Sequence, residues 1–174
     1  MFSNPQARKT WCNEVWARLN TPKHSGIFWL TMLNRLKTKD RLVKMGIKVQ
    51  ETCCLCDEYK ENVQHLFFEC KTTSYWLDEI KSWLGWKARA TNIQQFVRWI
   101  EKAKVSKFKK QVFSTAVAAL VYSSWKARNQ LIWQQEQINQ KQVVCDIKWS
   151  LRTRINVVLP KKISNVDKEW FFAL

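Results

Sequence analysis

Residues 53–70 read CCLCDEYKENVQHLFFEC. Within them Cys53, Cys56, His65 and Cys70 follow the spacing C-x2-C-x8-H-x4-C. Three thiolates and one imidazole form the closed set of four ligands that a tetrahedral structural zinc site requires. Two residues between the first cysteines allow a turn that points both sulfurs at one ion, and His65 and Cys70 lie about one helical turn apart. The segment therefore predicts a Zn²⁺ site that organises the surrounding chain.

The cysteines allow two other interpretations. The six cysteines, at positions 12, 53, 54, 56, 70 and 145, could form disulfides or could be separate buried thiols. Residues 1–9 lack the apolar segment of a secretory signal, so we expect a reducing, intracellular compartment, nuclear or cytoplasmic. Four of the six cysteines fall within eighteen residues, together with one of the two histidines, and this clustering favours zinc.

The other thiols have their own predictions. Cys54 could replace Cys53 as a ligand, but a C-x-C pair makes a tighter and less usual clasp around a metal. We therefore expect Cys54 to be a spare thiol. Cys12 and Cys145 stand alone in the sequence and are predicted to be core residues, since an unpaired cysteine behaves as a small hydrophobic side chain.

The composition indicates a helical protein of one domain, or of one and a half. The chain has 174 residues, a hydrophobic fraction of 46%, and only three glycines and three prolines, so sharp turns are few. Eleven tryptophans are expected to serve mainly in the core or in an interface. No run of about 18 apolar residues occurs, so we expect no membrane-spanning segment.

The charge is strongly positive and uneven, with a net value of +16. Residues 1–52 hold ten Lys/Arg and three acids, residues 53–101 six and seven, and residues 102–174 fourteen and four. The metal segment is thus near neutral, and the flanks are predicted to supply electrostatic affinity for nucleic acid. A solvated basic face without a partner is one alternative. An anionic membrane surface is another, disfavoured because the basic residues are spread over several segments.

Apolar periodicity and end signals predict a mainly α-helical fold: a small helical module held by zinc at 1–86, followed by a basic helical region at 87–174. The tail after Pro160 is expected to be loose. The first predicted helix starts at Asn4-Pro5 and ends near Pro22. Residues 86–90 are predicted to be a linker. The other predicted helices cover 25–36, 39–45 (Thr38 cap, Gly46 stop), 61–69, 72–84 (Gly85 stop), the residues after a Thr91 cap that include Ile93 to Ile100, 106–136 and 140–158.

Several of these segments resemble the zinc-binding domain at the C-terminal end of plant non-LTR (LINE-type) retrotransposon reverse transcriptases. The resemblance covers roughly residues 11–86, and a W-K-x-R-N segment that often follows this domain is similar to residues 125–129. The family usually has Glu-Thr where this chain has Glu61-Asn62, a change that leaves the ligand positions intact. The residues that carry the resemblance are Phe28-Trp29-Leu30, Asn34-Arg35-Leu36-Lys37-Thr38-Lys39-Asp40-Arg41-Leu42, Gly46-Ile47, Cys53, Cys56, Asn62 to Cys70, and Trp76.

The resemblance implies a module attached to a polymerase, with a role in holding RNA template or target DNA and with a reverse transcriptase as a candidate partner. The chain itself is expected not to be an enzyme. It has no Tyr-x-Asp-Asp and no two adjacent aspartates, which a two-metal polymerase site would need. Four protein ligands leave zinc no open position for catalysis. A nucleophile built from Cys54 or Cys70 with His65 is the remaining, disfavoured alternative.

Nucleic-acid contacts are predicted on the basic flanks, largely independent of base sequence. Phe108 lies inside the second cluster and could stack on a base, although core packing is its more usual role. The alternative function, from another class, is a Trp-rich protein–protein adaptor with a structural zinc. The predicted contact residues are Arg35, Lys37, Lys39 and Arg41 in one cluster and Lys102, Lys104, Lys107, Lys109 and Lys110 in the other.

Overall fold

The computed structural model describes residues 11–174, and this part of the chain is helical, as the sequence predicts. It contains no β-strand in the described range, only one antiparallel bridge between Thr52 and Lys60. The helices are α1 (Cys12–Val15), α2 (Pro22–Met32), α3 (Lys39–Lys44), a π-helix (His65–Glu69), α4 (Lys71–Trp83), α5 (Ile93–Lys102), α6 (Lys107–Gln134), α7 (Gln140–Val157) and α8 (Asn165–Phe172).

Helix α6 is the centre of the molecule. All ten residues from Val112 to Val121 are buried, and eight of them are apolar, so this stretch is buried on every face. It contacts α1, α2, α4, α5, α7 and the π-helix. The buried hydrophobic residues form one cluster that includes Val15, Trp76 and Leu151. Helices on both sides of residue 86 therefore share a core, and the division into two domains at that residue stays a prediction.

The helix ends follow local chemistry. The side chains of Asn92, Ser106, Asn139 and Ser164 each accept a hydrogen bond from the amide three residues further on, and so cap α5 to α8. The predicted Thr91 cap is wrong by one residue, since Asn92 takes that position. Thr38 precedes α3 as predicted, but its hydroxyl donates to Asp40 Oδ1 at 2.5 Å and does not cap the backbone.

Glycines close two helices at the predicted places. Gly46 follows α3 with a φ of +79°, and Gly85 follows α4 with a φ of +61°. Glycine adopts this left-handed region without a steric cost. Helix α2 instead begins at Pro22 and ends at Met32, earlier than predicted at both ends. Asn34 has a φ of +52°, which turns the chain and prevents a helix from reaching residue 36.

The prediction of a loose tail after Pro160 is wrong. This segment forms α8, capped by Ser164, and Phe171 is buried with its ring edge-on to Phe108 at 5.9 Å. Phe108 is therefore a core residue, and Phe171 supplies the apolar contact that orders the tail. Asp167 adds a polar contact, since its Oδ1 accepts a hydrogen bond from the Ser106 hydroxyl at 2.8 Å.

Other differences concern single residues. The predicted linker 86–90 is non-helical, but Trp86 in it is buried and stacks on Phe113 with 5.1 Å between ring centroids. Cys145 is exposed, against the core prediction, and Cys12 is half-buried. The predicted helix start at Asn4-Pro5 lies outside the described residues. Across residues 11–174, no helix combines the length and the apolar character needed to cross a membrane.

Candidate metal centre and basic surfaces

The four predicted ligands lie together. The candidate ligand atoms of Cys53, Cys56, His65 and Cys70 are all within 4.8 Å of one another, and all four residues are buried. Cys56 Sγ is 3.3 Å from His65 Nε2. Sulfurs bound to one tetrahedral zinc at 2.3 Å stand about 3.8 Å apart. The cluster therefore fits one zinc-sized ion with a closed set of four protein donors.

A tight turn positions the first two cysteines. The Asp57 amide donates to the Cys53 carbonyl at 2.8 Å, and Asp57 has a φ of +56°, so the chain reverses immediately after Cys56. The returning strand-like segment then pairs with the incoming one, because the Cys53 amide donates to the Tyr59 carbonyl at 2.7 Å. The turn thus carries both Cys53 and Cys56, whose sulfurs belong to the cluster.

The π-helix positions the second pair of ligands. In a regular α-helix, with 3.6 residues per turn, two residues five positions apart point about 140° away from each other. The Cys70 amide instead donates to the His65 carbonyl at 2.8 Å, a five-residue step that widens the turn. This wider turn brings the His65 imidazole and the Cys70 thiol to one side. The α-helical turn that the sequence predicted would not do so, because four residues separate the two ligands.

Asn62 supports the start of that helix. Its side-chain Oδ1 accepts a hydrogen bond from the His65 amide at 2.8 Å. Asn and Thr can both act as a helix cap through a side-chain oxygen. The difference between Glu61-Asn62 and the Glu-Thr pair of the resembling family therefore leaves a side chain able to hold the histidine in place.

The environment of Cys70 favours its thiolate. A hydrogen bond with Cys53 lowers the pKa of Cys70 to about 5, burial opposes this shift, and the amides of Thr73 and Thr72 support it. The same hydrogen bond, together with burial, raises the pKa of Cys53. Cys70 precedes α4 directly, and the amide groups at a helix start stabilise negative charge. A divalent cation would compete with protons at these thiols, because the thiolate is the form that binds metal.

Cys54 is not part of the cluster. Its Sγ donates to the Arg128 carbonyl at 3.7 Å and points towards α6. Burial raises the pKa of this thiol to about 11, which keeps it protonated near neutral pH. A separate contact with α6 therefore gives Cys54 a structural position outside the candidate metal centre.

A buried ion pair beside the centre was missed by sequence reasoning. Arg128 Nη2 lies 2.8 Å from Glu61 Oε1, and the side chains are 4% and 0% exposed. Glu61 Oε1 also accepts a hydrogen bond from the Lys39 amide at 2.9 Å. Arg128 stacks on the Trp125 ring at 4.8 Å. The pair connects α6 to the segment that leads into the π-helix. Arg128 belongs to the W-K-x-R-N segment, which the sequence analysis had singled out. No sequence pattern indicated that Glu61 is its partner.

The residues predicted to contact nucleic acid differ in how exposed their side chains are and in whether these contact other parts of the protein. Lys39 Nζ donates to the Thr52 carbonyl at 2.6 Å, Arg41 Nη1 donates to the Asn34 carbonyl, and Lys110 Nζ donates to the Glu101 carbonyl at 2.7 Å. Lys109 Nζ lies 4.7 Å from the centre of the Trp170 ring. These four side chains are half-buried. The exposed members are Arg35, Lys37, Lys102, Lys104 and Lys107.

The two predicted clusters are far apart. Arg128 Nη2 contacts the Lys37 carbonyl at 3.4 Å, so Lys37 lies near residue 128 of α6. Lys107 is the first residue of the same helix. With a rise of 1.5 Å per residue, these two points are about 30 Å apart along the axis. The structure therefore holds two separate basic surfaces, one at each end of α6.

The fold and the site define a helical protein with a buried Cys3His cluster. Residues 1–76 match the family model described as zinc-binding in reverse transcriptase. The matched range contains all four residues of the cluster and ends at Trp76 within α4. No curated protein and no solved structure matches the chain. The N-terminal part of the chain is thus similar to a reverse-transcriptase zinc-binding domain, and zinc is the metal that this similarity supports.

Proposed function

We propose that this protein holds one structural zinc through Cys53, Cys56, His65 and Cys70 and binds RNA or DNA without catalysing a reaction. The observation that carries the proposal is the buried, closed Cys3His cluster within a chain of net charge +16. We further propose that the module derives from a plant LINE-type retrotransposon, where it would serve beside a reverse transcriptase. The match to the family model described as zinc-binding in reverse transcriptase supports the reverse-transcriptase part of this proposal.

Zinc would act by joining parts of the chain. Cys53 and Cys56 lie on the turn after α3, whereas His65 and Cys70 frame the π-helix before α4. Zinc binding contributes about 10–16 kcal/mol in small zinc-dependent folds. That range is comparable with the whole stability of a domain, so the loss of one ligand should unfold the region around residues 47–86.

The exposed basic residues support electrostatic binding. Within residues 11–174, none of Arg35, Lys37, Lys102, Lys104 and Lys107 lies within ion-pair distance of a carboxylate. Free cationic side chains bind phosphates and release the counterions condensed on nucleic acid. The absence of catalysis is supported by the closed donor set, since a catalytic zinc needs an open position for water or substrate.

The zinc assignment is tested by metal analysis of two matched variants. Cys56→Ser removes a cluster residue, and Cys54→Ser removes a neighbouring thiol outside the cluster. We expect the parent and Cys54→Ser to contain one zinc per chain. We expect Cys56→Ser to lose zinc and the helical signal of the metal segment. Full zinc content with unchanged folding in Cys56→Ser would overturn the assignment.

Nucleic-acid binding is tested through its salt dependence. Replacing Lys102, Lys104 and Lys107 together by Ala should flatten the slope of log affinity against log salt by roughly two to three units. The control variant replaces Lys60, Lys71 and Lys81 by Ala and so removes the same charge. Each of these three lysines pairs with a carboxylate, that of Glu51, Glu58 or Asp78 respectively. This control should change the slope less. Equal slopes in all three proteins would reject this surface.

Among residues 11–174, the feature that favours the adaptor function is a set of exposed aromatic side chains. Trp133 is 78% exposed and Trp149 is 70% exposed. An adaptor would present these rings on an apolar patch away from basic charge. Trp149 instead lines a groove together with Lys23 and Lys126. This arrangement favours a polyanion over an apolar protein partner. If the protein binds no nucleic acid in a salt-dependent manner, the adaptor becomes the better proposal.

A further inference from the structure

An open groove lies between α2, α6 and α7, on neither of the two predicted basic surfaces. It has a volume of about 290 Å³, near the lower end of the range for small-ligand sites. Its wall includes Tyr122 of α6, whose ring contacts the buried His24 ring at 4.6 Å between centroids. These packed rings give the groove a firm aromatic wall.

Cationic side chains stand at the edge of this groove. Lys23 and Lys126 are both exposed, and Lys23 Nζ lies 5.1 Å from the centre of the Tyr122 ring. Neither lysine has a carboxylate within ion-pair distance among residues 11–174. Asp146 is the acidic residue in the lining, and its Oδ1 accepts a hydrogen bond from Gln142 Nε2 at 2.8 Å. The groove therefore has an excess of positive charge.

Two tryptophans extend the groove outward. Trp149 of α7 lines it and is 70% exposed, so most of its ring is open to solvent. Trp133 is 78% exposed and lies two turns after Lys126 on the same face of α6, about 10 Å further along the helix. Large exposed aromatic rings beside unpaired lysines are the combination that single-stranded nucleic-acid sites use.

We infer that this groove binds unpaired nucleotides, with Trp149 stacking on a base and Lys23 and Lys126 contacting the flanking phosphates. The inference rests on the proposed nucleic-acid function and names the class of substrate, a single strand. A duplex keeps its bases stacked within the helix, whereas a single strand offers its base faces to an aromatic ring. Trp133 is placed to contact a neighbouring nucleotide of the same strand.

The experiment compares Trp149→Ala, Trp149→Phe and Phe172→Ala in the full chain loaded with zinc. Phe172 is 64% exposed on α8 and does not line the groove, so it is the matched control. The probes are labelled 12-mers of uridine and of thymidine, a DNA strand of the same length that carries abasic sites, and a duplex of the same length. Circular dichroism checks that each variant retains the parent fold.

We expect Trp149→Ala to weaken binding of the uridine and thymidine strands by roughly 5- to 150-fold, the loss that corresponds to one stacked base. Binding to the abasic strand and to the duplex should be unchanged, and Trp149→Phe should retain most of the affinity.

The contrary outcomes separate the two proposals. If the parent binds all strands with a salt-dependent affinity and Trp149→Ala behaves like Phe172→Ala, the groove is not the site but the nucleic-acid proposal stands. Equal weakening on the abasic strand and on base-containing strands would also overturn base stacking. If the parent binds no nucleic acid, both proposals fail together.

Discussion

Glu61 joins three parts of the molecule through one carboxylate. It accepts hydrogen bonds from the Lys39 amide at the start of α3 and from the Arg128 side chain of α6. It also directly precedes Asn62, whose side-chain oxygen accepts a hydrogen bond from the His65 amide at the start of the π-helix. A carboxylate that is 0% exposed is tolerated only when it is paired and hydrogen-bonded. The ion pair thus fixes the candidate metal centre against the central helix.

Replacing Arg128 by Met should destabilise the zinc-loaded protein by about 3–5 kcal/mol, because the buried Glu61 carboxylate would lose its charged partner. The double variant Glu61→Gln with Arg128→Met should be more stable than the sum of the two single effects predicts. Urea unfolding of the four proteins measures both quantities. A stability loss below about 1 kcal/mol in Arg128→Met would contradict this role.

At the residue scale, the spacing predicted the four clustered residues, although a π-helical step, and not the expected α-helical turn, brings His65 and Cys70 together. Glu61 was not predicted as a buried residue, because its partner Arg128 lies 67 residues away and pairing at that distance depends on the tertiary fold. Cys145 shows the reverse case. Its residue type suggested the core, but its position on the outer face of α7 exposes it.

At the element scale, helix existence followed from apolar periodicity, and the long helix 106–136 differs from the observed α6 by only one or two residues at each end. Two features were beyond that pattern. The π-helix depends on a hydrogen-bond step that composition does not reveal. Helix α8 depends on the burial of Phe171 against Phe108, a contact between distant segments.

Two adjacent phenylalanines of α8 offer a matched test. Phe171 is 3% exposed, whereas Phe172 is 64% exposed. Phe171→Ala should lower the free energy of unfolding by about 3 kcal/mol, because it leaves a cavity beside Phe108. Phe172→Ala should change it by less than about 0.5 kcal/mol. Denaturant unfolding of both variants gives the comparison, and equal effects would show that α8 does not dock through Phe171.

The packing of α2 against α6 should depend on pH through His24. Burial, followed by the charges of Lys23 and Arg154, lowers the pKa of His24 to about 4 from its ordinary value of 6.5. Between pH 6.5 and pH 4 the unfolded chain binds a proton that the folded chain does not. The free energy of unfolding should therefore fall as the pH drops through this range.

The contribution of His24 is isolated by a neutral variant. His24→Gln cannot titrate at this position, and the rest of the chain is the same in both proteins. We expect the parent to lose roughly 2 kcal/mol more than His24→Gln between pH 7 and pH 4.5, a figure reduced for the partial solvent access of the ring. Parallel stability curves for the two proteins over this range would show that His24 is not the titrating group.

At the scale of the whole molecule, α6 sets the distribution of charge. The sequence predicted two basic flanks around a near-neutral metal segment, and the structure shows how they are separated. The carbonyl of the exposed residue Lys37 contacts Arg128, and Lys107 lies at the opposite end of α6. The distance of about 30 Å between them could not be predicted, because it depends on the contact between the Lys37 carbonyl and Arg128, which the tertiary fold creates.

This separation predicts a length-dependent binding of duplexes, on the basis of the nucleic-acid proposal. Base pairs are spaced by 3.4 Å, so a duplex of about 6 base pairs reaches only one surface, whereas one of about 16 base pairs spans both. For the parent, the longer duplex should show a steeper dependence of log affinity on log salt. Replacing Arg35 and Lys37 by Ala should reduce that extra slope by roughly 1.8 units, because two phosphate contacts are removed. End effects of the short duplex are the same in both proteins, so the difference between them isolates the second surface. An extra slope of equal size in parent and variant would mean that the two basic surfaces do not bind one duplex together.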